Sequence, residues 1–132
     1  MATLTPNGDT EVTVIEQGAL TFKSSSVSVT ADGTFDIIET VPTGKKWTLK
    51  YISVGQNGGT FTITRFQTLI QDTAGANPLK VDDTSASNVI VSLGEKNITL
   101  EPTQRIRIAT FVTGWSVTGN STAILVYQEF DS

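Results

Sequence analysis

Apolar and polar residues alternate along most of this chain at a period of two, which is the spacing of side chains on a β-strand. In the segment 45–54, Trp47 and Tyr51 fall on one face and Ile52 falls on the other. Strands with apolar residues on both faces are typical of the covered interior of a β protein. Only residues 82–91 are ambiguous between the strand and helix periods. The pattern therefore predicts an all-β fold.

Segments rich in Gly, Pro, Asn and Ser separate these alternating stretches, because such residues favour the turn conformations that end a strand. Pro42 has no backbone N–H to donate, and Gly44 can adopt a positive φ. These two residues therefore predict a tight corner. Similar separators recur further along the chain. From residue 34 onward the pattern predicts eight strands, at residues 34–41, 45–54, 60–71, 79–82, 87–93, 97–100, 104–113 and 121–130.

Eight strands are the number in a jelly roll, whose first strand pairs with the last, the second with the seventh, the third with the sixth and the fourth with the fifth. We therefore predict an eight-stranded, jelly-roll-like antiparallel β-sandwich over residues 34–132. Strand 34–41 is then expected to pair with 121–130, and strand 45–54 with 104–113. Residues 1–33 are predicted to form an N-terminal arm and edge strands. An immunoglobulin-like sandwich is the alternative fold.

The composition narrows the chemistry that the chain can perform. Its 132 residues include no cysteine and no histidine, so thiolates and the commonest general base and metal ligand are missing. A net charge of -4 with nine dispersed Lys and Arg residues disfavours binding to nucleic acid. No apolar run approaches the ~20 residues that span a bilayer, and residues 1–10 do not resemble a signal peptide. We predict neither a nucleic acid nor a membrane partner.

Serine and carboxylate chemistry is the remaining catalytic possibility. A nucleophilic serine needs a nearby base, and no Ser-x-x-Lys motif occurs to supply a lysine. Asp82 and Asp83 lie in ordinary turn chemistry and lack the spacing of a calcium loop. No pair among the thirteen acidic residues stands out for glycoside hydrolysis. The sequence predicts a protein that is not an enzyme and that holds no metal or cofactor.

The two tryptophans are the residues that a sugar-binding site would use, because they offer flat aromatic faces. Trp47 lies inside a predicted strand, where core packing or an amphipathic boundary role is expected. Trp115 lies at the start of a predicted loop at 114–120, and three roles stay open for it: anchoring the loop, filling a subunit interface, or facing a ligand. Sugar binding would require Trp115 or Tyr51 to face the solvent.

Two segments of the chain carry a family resemblance. The first is VPTGKKWTL at residues 41–49, and the second is LEPTQRIRI at residues 100–108, followed by a Gly-Trp loop and AILVYQEF at 123–130. Together they resemble the small β-sandwich virion proteins of tailed bacteriophages, which include capsid decoration (cement) proteins and head or tail-fibre modules. The resemblance covers residues 34–130, and Pro102-Thr103 stands where the family pattern has Pro-Gly.

The resemblance implies a capsid decoration protein, a homotrimer on the outer surface of the phage head that stabilises the shell by non-covalent association. Such a protein joins the virion in the host cytoplasm, with the major capsid protein and copies of itself as partners. Its N-terminal arm would contact coat subunits. The interface candidates are then Met1, Ala2, Thr3, Leu4, Thr5, Pro6 and Trp115. A carbohydrate- or receptor-binding module of a head or tail fibre is the alternative function.

Overall fold

The computed structural model describes residues 18–72 and 78–132 of the chain. These residues form nine β-strands and one short 3₁₀ turn at Gly94–Lys96, so the all-β prediction is confirmed. Within them, no helix has the length and apolar character that a membrane crossing requires. In chain order the strands are β1 (Leu20–Val29), β2 (Gly33–Thr40), β3 (Lys45–Asn57), β4 (Thr60–Gln71), β5 (Leu79–Thr84), β6 (Val91–Ser92), β7 (Thr99–Leu100), β8 (Arg105–Val117) and β9 (Gly119–Asp131).

The strands form two antiparallel sheets packed face to face. One sheet has the order β1-β9-β3-β6, with β7 also paired to β3, and the other has the order β2-β8-β4-β5. Strand β1 therefore pairs with β9, β2 with β8, β3 with both β6 and β7, and β4 with β5. A long hairpin rolled into two layers produces this order, so the sandwich has the predicted jelly-roll topology.

The structure contradicts the predicted strand partners. Strand β2 pairs with β8 rather than with β9, and β3 pairs with β9 rather than with β8. Likewise β4 and β5 pair with each other, and not with β7 and β6. The count of eight began at residue 34 and so omitted β1. It still reached eight because the predicted strands 87–93 and 97–100 correspond to two short pieces, β6 and β7, that pair with the same strand β3.

Two segments whose residue types favour a break are continuous strand. The serines at 24–26 lie within β1, whose ten residues all pair with β9. Residues 114–117 extend β8, so that only Thr118 connects it to β9. Gly114 has a φ of 65°, and here the glycine permits an irregularity within a strand instead of ending it.

The core lies between the sheets and is built from the inward-facing residues of both. Strand β3 contributes Trp47 and Leu49 and then, after a β-bulge at Lys50, Ile52 and Val54. Removing these side chains from water is the main favourable contribution to folding. Other large, fully buried side chains are Val29, Val41, Phe66, Leu93, Leu100, Ile106, Ile108 and Leu125.

The β3–β4 and β8–β9 connections meet backbone to backbone at one end of the sandwich. A Cβ atom on Gly59 would lie 2.6 Å from the backbone nitrogen of Gly119, which is closer than a side chain can approach. Gly59 also has a φ of 73°, a conformation that glycine adopts without strain. The glycine-rich segment 55–59 therefore packs against the β8–β9 connection as well as carrying the chain from one sheet to the other.

Strand β1 forms one edge of its sheet and is paired with β9 along its whole length. The predicted boundary at residue 34 falls where the chain passes from β1 in one sheet to β2 in the other. Residues 1–17, which include the predicted arm at 1–10, lie outside the described residues.

Leu49 provides a direct test of this core. Its side chain has 0% exposure, so Leu49→Ala leaves a cavity and is expected to lower the free energy of unfolding by about 2–5 kcal/mol. Leu79→Ala is the matched control, because Leu79 is 63% exposed and its truncation is expected to cost less than about 0.5 kcal/mol. Urea unfolding followed by tryptophan fluorescence gives both values. Equal losses would contradict the inward orientation of Leu49.

Candidate functional site

A group of polar side chains joins the two sheets where β1 and β2 lie along one side of the sandwich. The ammonium of Lys23 on β1 lies 3.0 Å from the carboxylate of Glu39 on β2, and the hydroxyl of Ser25 donates to the same carboxylate. The pKa of Lys23 is raised, chiefly because its ammonium donates a hydrogen bond to the carboxylate of Glu39. The contact closes the side of the sandwich without adding apolar surface.

Trp47 lies next to this ion pair and is held by a hydrogen bond and by ring stacking. Its Nε1 donates to the carboxylate of Glu129 at 2.9 Å, and its ring centre lies 4.2 Å from that of Tyr127. Burial raises the pKa of Tyr127, and the negative charge of Glu129 raises it further. Trp47 is only 1% exposed, so its expected role in the core is confirmed and its ring is not available to a ligand.

Trp115 lies in β8 and is bonded to the turn between β1 and β2. Its backbone N–H donates to the carboxylate of Asp32 at 2.7 Å, and its Nε1 donates to the carbonyl of Val29 at 3.2 Å. These contacts fit the anchoring role, although the anchored segment is the β1–β2 turn and not a loop of its own. The ring is 37% exposed, and its interface and ligand roles stay predictions.

The remaining interface candidates lie outside the described residues. These are Met1, Ala2, Thr3, Leu4, Thr5 and Pro6. Their contact with coat subunits stays a prediction.

The outer face of the β1-β9-β3-β6 sheet has an uncharged central area that the sequence pattern did not predict, and Lys46, paired with Phe130, lies in the row beyond it. Cross-strand pairing arranges its side chains in four rows, and no charged residue occupies a position in them, although 17% of the chain is charged. We call this surface the neutral face. Its rows are Leu20, Gln128, Thr48 and Thr99; Phe22, Val126, Tyr51 and Ser92; Ser24, Ile124 and Ser53; and Ser26, Thr122 and Gly55.

The two middle rows give the neutral face an apolar centre. Phe22 is 72% exposed, and Tyr51 and Ile124 are 43% and 42% exposed. Ile90, which directly precedes β6, is 77% exposed and borders the same area. Between β3, β9 and Ile90 lies a groove of about 400 Å³. The groove is lined by Tyr51, Ile52, Ser53, Ile90, Ile124 and Val126.

The outer face of the other sheet, which we call the charged face, has the opposite character. Arg107 pairs with Asp36 at 3.1 Å, and Arg65 pairs with Asp83 at 3.3 Å. The guanidinium of Arg65 also lies 4.2 Å from the ring centre of Phe111, a favourable cation–π distance. These charges lie in pairs of opposite sign at the surface, so this face is suited to remain in solvent.

A signal for the neutral face was present in the sequence. Residues 123–127 form a run of five apolar residues (AILVY), which is typical of a strand covered on both sides. In the structure the run lies in β9, where Leu125 is buried and Ile124 faces outward with no covering element among the described residues. The run therefore marked an outer surface suited to a partner.

The arrangement is suited to association with another surface. Among the residues that the structure describes, no group of three or more acidic, His or Cys side chains could hold a metal ion. No protein-family model matches the sequence, and no curated protein matches it significantly. The resemblance to phage virion proteins accordingly stays a prediction.

Stability at alkaline pH tests the environment of Tyr127. Tyr127 and Lys23 have pKa values raised above their ordinary values of 10.0 and 10.5. As the pH rises through this range, the unfolded chain loses these protons before the folded chain does, so the free energy of unfolding falls. Tyr127→Phe keeps the stacked ring and removes the titrating phenol. Between about pH 8 and about pH 11, the free energy of unfolding of Tyr127→Phe is expected to fall less than that of the unsubstituted protein.

Urea midpoints of both proteins at the two pH values provide the measurement. The raised pKa of Lys45, which donates a hydrogen bond to Asp131, contributes equally to both proteins. An equally steep loss in Tyr127→Phe would contradict the raised pKa of Tyr127.

Proposed function

We propose that this chain is a structural virion protein of the capsid decoration type, which binds the outer surface of a phage head and strengthens the shell by non-covalent association. The observation that carries the proposal is the neutral face. Apolar surfaces depleted of charge are typical of surfaces that proteins bury against another subunit. The resemblance at residues 41–49 and 100–130 supports a place in the phage particle.

Association alone accounts for the proposed effect on the shell. A protein that binds the assembled shell in preference to free coat subunits stabilises the shell by mass action. Copies that are linked to one another bind more strongly still, because their contacts act jointly. The major capsid protein and other copies of this chain are the proposed partners, and residues 1–6 are the proposed contact with the coat.

Binding to shells tests the proposal. The purified protein is mixed with shells assembled from the major capsid protein of the same genome, and separately with unassembled coat protein. We expect saturable co-sedimentation with shells only, and a higher melting temperature of the shells. A chain lacking residues 1–10 is expected to lose this binding, whereas replacement of Asp131, at the far end of the chain, by Ala is expected to retain it.

The possible outcomes test the decoration role and the contact through the N-terminal residues separately. Shells that neither bind the full-length protein nor gain thermal stability would contradict a decoration role. Full binding by the shortened chain would contradict the arm as the contact while leaving the role in place.

A carbohydrate-binding module is the second candidate, and the exposure of Tyr51 and Trp115 favours it. Against it, Ser53 is the only polar side chain that lines the groove beside Tyr51, whereas ligand sites of this kind need several convergent polar groups. We expect no retention on a glycan array. Retention that is lost in Tyr51→Ala and kept in Ile38→Ala would favour the sugar-binding function instead.

A further inference from the structure

We propose that the neutral face is buried against the neutral face of a second copy of this chain, across a two-fold axis. This inference deepens the proposed function by naming the partner at that surface, and it rests on that function for the requirement that the face be covered. It replaces the homotrimer that the resemblance implies with a two-fold pair. In a two-fold contact the same patch serves both copies, so the patch must be complementary to itself. The charge, the shape and the polar rim of the neutral face meet this condition.

The distribution of charge favours a second copy as the occupant. The chain has a net charge of -4, so two copies repel each other through most of their surfaces. The four rows of the neutral face carry no charge. The charges at its border are Lys46 in the row beyond Thr48, Lys50 at the bulge and against Gly94, and Glu95, whose carboxylate accepts a hydrogen bond from Ser92. A strongly charged partner would find no complementary charge on this face. A second uncharged face has no charge to desolvate on contact with it.

The shape of the face provides a projection and a recess on the same surface. Phe22 stands on the edge strand β1 with 72% of its surface exposed. The groove bordered by Tyr51, Ile90 and Ile124 lies on the other side of Val126 in the same sheet. A two-fold axis allows Phe22 of each copy to enter the groove of the other. Buried aromatic side chains in pockets are the usual energetic centre of a protein interface.

The polar rows on either side of the apolar centre can be buried at low cost. The hydroxyls of Thr48 and Thr99 lie 3.2 Å apart, and those of Ser26 and Thr122 lie 2.9 Å apart. Each pair forms a hydrogen bond within one chain, so contact with a second copy leaves these hydroxyls with a partner. The rim therefore loses less on contact than unpaired hydroxyls would.

The size of the neutral face agrees with a modest dimer. Four strands about 4.8 Å apart and four rows about 6.8 Å apart cover roughly 500 Å² in projection. Side-chain relief increases the accessible area toward the roughly 600 Å² per partner at the lower end of stable interfaces. We therefore expect a dimer whose population depends on concentration in the micromolar range.

The mass of the isolated protein in solution is the first measurement. We expect sedimentation equilibrium to give twice the 14.1 kDa mass of the chain at high concentration and dissociation on dilution. High salt screens the repulsion between two acidic chains, so the dimer is expected to persist or to strengthen when sodium chloride is added. A contact built on ion pairs would weaken under the same conditions.

A matched pair of variants identifies the surface. Ile124→Lys places a charge on the neutral face, and Ile38→Lys places the same charge on the charged face; the two isoleucines are 42% and 44% exposed. Ile124→Lys is expected to weaken self-association by about tenfold or more, whereas Ile38→Lys leaves it unchanged. Phe22→Ala is the second test, because the exposed ring can be removed without opening the core. Urea midpoints confirm that each variant is folded.

Several results would overturn the inference. These are a monomer at every concentration, a trimer, dissociation caused equally by Ile38→Lys, or a dimer that neither Ile124→Lys nor Phe22→Ala weakens. Shell binding is measured separately on the same proteins. A monomer that still binds shells would overturn the self-contact alone, whereas a dimer that binds no shells would overturn the decoration role alone.

Discussion

The pairing of β3 with β9 is the contact on which the rest of the sandwich depends. Both strands have thirteen residues and run through the middle of one sheet. Their inward side chains, such as Trp47 and Leu125, supply the core, while Tyr51 and Ile124 on their outer side supply the centre of the neutral face. Because β-branched and aromatic residues also favour the extended backbone, the residue types that hold these strands together make both of their sides apolar. One strand pair thus determines the stability of the monomer and its affinity for another surface.

The side of the sandwich between β1 and β2 shows how the chain closes an opening with its own residues. Lys23 and Glu39 join the two sheets through an ion pair, and Trp115 fastens the turn between the strands through its two hydrogen bonds. Each polar group there finds its partner within the chain, so that side needs no further cover. Among the described residues, no such contacts cover the neutral face. The side between β1 and β2 therefore has satisfied polar contacts, whereas the neutral face exposes apolar side chains.

Local patterns predicted the class of fold and the positions of most strands, because alternation and turn residues act over a few positions. Strand β4 was predicted with the bounds 60–71 that the structure gives. The predicted partners of the strands were wrong, because pairing depends on which distant segments roll together. The serines at 24–26 favour a break locally, yet the register with β9 holds them in a strand. The neutral face was missed for the same reason, since only pairing brings Phe22 beside Val126.

The two outer faces differ in what it costs to remove them from water, and this difference orders the steps of assembly. On the charged face, contact with a partner must strip water from pairs such as Arg107 and Asp36, and exposed ion pairs return little for that cost. On the neutral face, covering Phe22 and Ile90 is favourable, and the four rows hold no charge to desolvate. The neutral face should therefore associate first. Under the proposed pairing both charged faces stay in solvent, where their ion pairs keep their water.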